Sequence, residues 1–126
     1  MVSFADIRTA IDALREVQRA IGETNEQQGE RWRYELVRLR RDLAERLGAV
    51  YRLSERWSPA PEQTPHKEAL RRSLSALRTA LAEHQALWPA VSVDIQAPEY
   101  RQSVGQLRAT YAELDETLSR IGAECR

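Results

Sequence analysis

Apolar residues recur every three or four positions along nearly the whole chain, the period that gathers side chains on one flank of an α-helix. Phe4, Ile7, Ile11, Leu14, Val17 and Ile21 draw the first stripe. Ser3, with Asp6 three residues on, makes a short-acid version of the capping box, and Gly22 follows as a helix-ending glycine. A first helix is therefore predicted at 4–21. The polar stretch from Glu23 to Glu30 reads as a loop, with Asn25 available as the next N-cap. The stripe resumes at Trp32 and runs through Leu36, Leu39, Leu43, Leu47, Val50, Leu53 and Trp57, predicting a second helix over 26–57. It stops at Ser58-Pro59, because a proline disfavours helical backbone at the residue before it. Val37, Ala44 and Tyr51, seven residues apart, add a second seam to this helix and broaden its apolar face.

Pro59, Pro61 and Pro65 mark the one clear linker, 58–64. Thr64 as N-cap and Pro65 at the first helical position open a third helix over 65–88. Its stripe is Leu70, Leu74, Leu77, Leu81, His84 and Trp88, beside a seam of small residues, Ala69, Ser73, Ala76 and Ala80, that permits close helix approach. In 89–97, Val91, Val93 and Ile95 alternate with polar residues; a lone alternating segment has no strand to pair with, so it reads as an extended loop closing one end. Pro98 opens a fourth helix over 98–121, and Gly122 ends it.

Short connections between amphipathic helices favour antiparallel neighbours, so the expected fold is all-α: one domain over 1–126, an up-down-up-down four-helix bundle. That topology places Trp32, Trp88 and Tyr100 at one end and Trp57 at the other. An alternative follows from the register, which continues from Ile21 through Asn25 and Gln28 to Trp32. The first two helices would then form one rod of more than about 50 residues, whose stripe only a second chain would bury, giving an intertwined dimer.

Composition narrows the function classes. The chain has 126 residues, enough to bury a core without metals or disulfides. Its 19 basic and 19 acidic side chains cancel, so no global field draws it to nucleic acid or anionic lipid. No run approaches the ~20 apolar residues of a membrane span, and the N-terminus lacks an apolar leader, so the cytoplasm is the expected compartment. Cys125 is the single cysteine, expected to be an exposed spectator thiol.

His84 interrupts an apolar stripe and is expected to be partly buried and hydrogen-bonded to a neighbour. The string His84-Gln-Ala-Leu-Trp-Pro89 resembles a segment of hemerythrin-type bundles, which implies an iron site. The further histidines of such a site are missing, no stripe carries an inward glutamate, and Leu81 stands where a Glu-x-x-His pair needs its glutamate. No metal is therefore expected. Arg8-Thr-Ala-Ile11-Asp12 is similar to the opening of all-helical chorismate mutases, which implies a dicarboxylate held between helices by arginines and a lysine. The sole lysine, Lys67, lies at the start of another helix. Gly-rich phosphate loops, Ser/His/Asp arrangements and zinc spacings do not occur, so neither an enzyme nor a cofactor is expected.

The second helix is rich in arginine, but acids sit at neighbouring helical positions: Arg31 with Glu35, Arg38 with Asp42, Arg41 with Glu45, Arg52 with Glu55. Such pairs neutralise the field a phosphate backbone would feel. Arg33, Arg40 and Arg56 remain as candidate nucleic-acid contacts under an alternative reading, a nucleic-acid-associated regulator. The favoured expectation is a non-enzymatic module that binds a protein partner or a second copy of itself through the surplus seam Val37, Ala44 and Tyr51.

Overall fold

A computed structural model describes residues 1–26, 29, 31–90, 92–94 and 97–124, and only the backbone of residues 25 and 26. Among the described residues the protein has four α-helices and no strand: α1 (Phe4–Glu26), α2 (Trp32–Arg56), α3 (Thr64–Leu87) and α4 (Pro98–Glu124). A 3-10 turn, Pro61–Gln63, leads into α3.

The helix starts follow from local chemistry. Ser3 and Asp6 form the reciprocal capping box: the Ser3 amide donates to Asp6 Oδ2 at 2.8 Å and the Asp6 amide donates to Ser3 Oγ at 3.2 Å. Those hydrogen bonds favour the ionised acid and hold the Asp6 carboxyl below its ordinary range. The Thr64 N-cap expectation is off by one residue. The 3-10 turn delivers the chain already helical, so Thr64 has φ −52 and ψ −38 and Gln63 precedes the helix without a side-chain cap.

Three boundaries also depart from the sequence pattern. α1 continues past Gly22 to Glu26, since nothing crowds that glycine and Thr24 is buried in the added turn. The reversal falls instead near Gly29, whose φ of 128° suits a residue without Cβ. α2 consequently begins at Trp32 rather than 26, and Arg31 precedes it with no side-chain cap in the role expected of Asn25. The side chains of Asn25 and Gln28 lie outside the described residues, as do Val91, Ile95 and Cys125. α4 likewise continues past Gly122 to Glu124, where Gln63 Nε2 donates to the Glu124 carbonyl and His66 Nε2 meets Glu124 Oε2 at 2.6 Å.

The continuous rod is corrected by one contact. A helix running unbroken from Phe4 to Trp57 would hold them ~80 Å apart. Their rings lie 5.7 Å apart. α1 and α2 are separate helices folded onto each other.

Helix ends are satisfied across elements. Lys67 Nζ donates to the carbonyls of Glu55 (3.2 Å) and Trp57 (2.7 Å), capping the C-terminus of α2 with a cation where the helix dipole is negative. α1 packs on α2 and α3 on α4, the latter close enough for Ser73 Oγ and Thr117 Oγ1 to lie 2.9 Å apart. α1 and α4 meet through Arg15–Asp115 and through Tyr111 Oη, which donates to Gln18 Oε1 at 3.0 Å. α2 meets α3 through Arg40, which donates to the Trp88 carbonyl at 2.6 Å. The stripes merge into one core, with Val93 closing an end of it from the loop before α4. No described helix is long and apolar enough to cross a membrane.

Candidate functional site

Where α2 and α3 meet, the core reaches the surface. Leu43, Leu47 and Leu81 form the floor of a groove of about 360 Å³, walled by Ala44, Gly48, Tyr51, Arg78 and Gln85. Small residues at 44 and 48 keep the groove open above the buried leucines, because neither carries a side chain long enough to fill it. The Arg78 guanidinium sits 5.6 Å above the Tyr51 ring, and burial pushes the Tyr51 phenol above its ordinary pKa, an effect Arg78 partly offsets. The expected seam is thus divided. Ala44 and Tyr51 line one groove, whereas Val37 packs half-buried against the core away from it. Beyond Tyr51 the groove runs into a shallow depression with charges of both signs, Glu55 and Glu83 beside Arg71 and Arg78.

A polar cluster occupies the end of the core where α3 stops. His84 is buried, with Nδ1 2.6 Å from Ser103 Oγ and its ring tilted on Tyr100 at 5.5 Å. Trp88 meets the same tyrosine edge-on at 5.6 Å. Burial, and then the positive charge of Arg40, lower the His84 pKa to about 4, so the imidazole is neutral at neutral pH. Desolvation lowers the Arg40 pKa too. Trp88 and Tyr100 are together as the stripes predicted; Trp32 packs against the core nearby in sequence to Arg33, whose guanidinium stands 4.8 Å over its ring.

A second groove, of about 470 Å³, runs between α1 and α4 and ends at His84. Arg15 and Arg19 of α1 and Arg108 of α4 line it, over a floor that includes Leu107 and Tyr111. The Arg15 guanidinium lies 4.5 Å over the Tyr111 ring. Burial raises the Tyr111 phenol to about 12, against the opposing charge of Arg15. Sequence reasoning missed this groove because its arginines sit at the edges of two apolar stripes on helices far apart in the chain. Their helical positions were readable; their convergence was not.

The structure does not gather the candidate nucleic-acid contacts. Arg40 is turned inward onto Trp88, and Arg56 lies in the last turn of α2. Arg33 and Arg56 are separated by about 35 Å along the helix and roughly 140° around it. The acid–arginine pairing also differs from expectation: Arg38 bonds Glu35 rather than Asp42, which instead lies 3.5 Å from Arg46. Arg19 with Glu16 and Arg71 with Glu68 repeat this order, acid first in the chain. Helical side chains lean toward the N-terminus, so a long arginine reaches back to an acid one turn earlier more readily than forward.

Neither family resemblance finds its site. Arg8 and Asp12 are absent from the groove between α1 and α4; Arg8 lies against Gly122, and Lys67 is spent on the end of α2. Among the described residues no group of three or more His, Cys, Asp or Glu stands where it would hold a metal ion. Comparison with protein-family models, curated proteins and solved structures gives no match.

Proposed function

We propose that this chain is a non-enzymatic interaction module that forms a homodimer through the groove between α2 and α3. The observation that carries this reading is a surface groove floored by the core leucines 43, 47 and 81 beside the small residues Ala44 and Gly48, a seat for apolar side chains. A second copy suits it because the adjoining rim holds Glu55 and Glu83 as well as Arg71 and Arg78. A two-fold interface brings a surface against itself, so a rim of mixed sign places acid opposite base, and a chain with no net charge meets no overall repulsion.

The architecture behind this reading is the up-down-up-down bundle. Its support is the ordering of partners: Arg15 with Asp115 and Gln18 with Tyr111 between α1 and α4, Ser73 with Thr117 and His84 with Ser103 between α3 and α4. In each set one position rises as the other falls, the mark of antiparallel neighbours. The cytoplasm is the compartment proposed with it.

Sedimentation velocity over a wide concentration range tests the proposal. The expected result is a concentration-dependent dimer that Ala44→Glu, which places a charge in the apolar groove, returns to monomer with an unchanged helical spectrum. A wild-type monomer at every concentration, or an Ala44→Glu dimer as tight as wild type, overturns it. Nucleic-acid binding has less support, since Arg40 is committed to Trp88 and Arg33 and Arg56 occupy different faces.

A further inference from the structure

We infer that the groove between α1 and α4 binds a small organic carboxylate, a planar anion on an apolar or aromatic body. Three features point there independently of any dimer. Arginines from both facing helices line one groove, Arg15 and Arg19 from α1 and Arg108 from α4; Arg19 is paired with Glu16, and the acids Glu23 and Asp115 share the walls. Among the described residues Arg108 has no hydrogen bond or ion pair, so its charge is uncommitted.

The Arg15 fork is incompletely used. Its Nη1 is buried and makes no hydrogen bond. The nearest carboxylate, Asp115 Oδ2, lies at 3.4 Å, longer than the ~2.7–2.9 Å of a charge-assisted bond and without the alignment one needs. Nη1 is closed to solvent, so a carboxylate entering the groove meets the rest of the guanidinium, which is about a third exposed. Its place over the Tyr111 ring restrains the guanidinium, so less side-chain freedom is lost on binding.

The remainder of the groove sets the ligand class. Leu107, Val104 and the Tyr111 ring give an apolar floor, and about 470 Å³ accommodates a one-ring acid. At its end stands His84, which is uncharged and therefore adds no further cation where the apolar body would lie. A small inorganic ion would leave that floor uncovered, so the proposal is specific to an acid with a hydrophobic body.

Titration of the isotope-labelled protein with benzoate, followed by two-dimensional NMR that includes arginine Nε–H resonances, tests this. Benzamide serves as the uncharged isostere and acetate as the acid without an apolar body. Expected are saturable shifts at Arg15, Arg108 and Tyr111 with benzoate, and binding at least about tenfold weaker for benzamide, for acetate, and for the Arg108→Gln protein. Arg15→Lys, which keeps the charge but removes the fork, is expected to weaken benzoate similarly. Absence of saturable shifts, equal binding of benzamide, or unchanged binding by both folded variants overturns the proposal.

Discussion

His84 shows how far one side chain's environment sets its chemistry. The ring is buried between Tyr100 and Ser103, near the half-buried guanidinium of Arg40, and its pKa falls from 6.5 to about 4. The unfolded chain therefore binds a proton that the folded chain refuses between those values. Stability from this residue is complete above pH 6.5 and is lost as pH falls toward 4, by up to roughly 3 kcal/mol. Urea unfolding at about pH 7 and about pH 5 is expected to give a clear loss for the wild type and a much smaller one for His84→Gln, which keeps a polar contact for Ser103 but does not titrate. Arg40→Gln removes the second cause of the shift, so the imidazole pKa, followed by NMR, is expected to rise in that variant. The sequence pattern announced a histidine within an apolar stripe and hence a hydrogen-bonded, sheltered ring. It held no sign that Ser103 would be the partner or Arg40 the neighbour, because both arrive from other helices and neither interrupts an apolar stripe.

Helices were legible wherever one local signal acted alone, and their ends were misplaced wherever two signals competed. The Ser3–Asp6 box fixed the start of α1, and prolines marked the starts of α3 and α4 to within a residue. Gly22 and Gly122 have the sequence mark of terminators, yet glycine only permits a helix to end. Thr24 buried in the next turn and Glu124 tied to Gln63 and His66 kept both helices going. Gly105, inside α4 with open space around its missing Cβ, makes the corresponding prediction. Gly105→Ala is expected to stabilise the protein by about 0.5–1 kcal/mol, because alanine loses less backbone entropy in a helix and meets no atom here. Denaturant midpoints check it. At the other extreme, Lys67→Met removes both hydrogen bonds to the final carbonyls of α2 and is expected to cost about 1–2 kcal/mol, with the earliest loss of amide protection in the last turn of α2. The lysine's position at a helix start concealed this role, since the end it caps belongs to the preceding helix.

Across the whole molecule the core is sealed in some places and bordered by a groove in others, a difference that stripes of uniform leucine and isoleucine could not reveal. Ile7, Leu14, Leu36, Val50, Leu70, Leu74, Leu77, Leu114 and Ile121 are sealed from solvent along the length of the bundle. Toward His84 the stripes give way to Tyr111, Tyr100 and the arginine-lined groove, where α1 and α4 are joined by long polar side chains rather than interlocked methyl groups. Leu114 and Leu107 compare the two regimes on one face of one helix, two turns apart. Leu114 is fully buried, whereas Leu107 is 5% exposed and borders the groove. Truncating the first leaves an enclosed void whose lining loses its contacts; truncating the second enlarges a groove that water already enters. Leu114→Ala is expected to fall in the upper part of the ~2–5 kcal/mol range for such changes and Leu107→Ala in the lower part. Urea unfolding of the two variants checks the order: equal losses would mean that the groove is packed as tightly as the sealed core, and the space assigned there to a carboxylate would not exist.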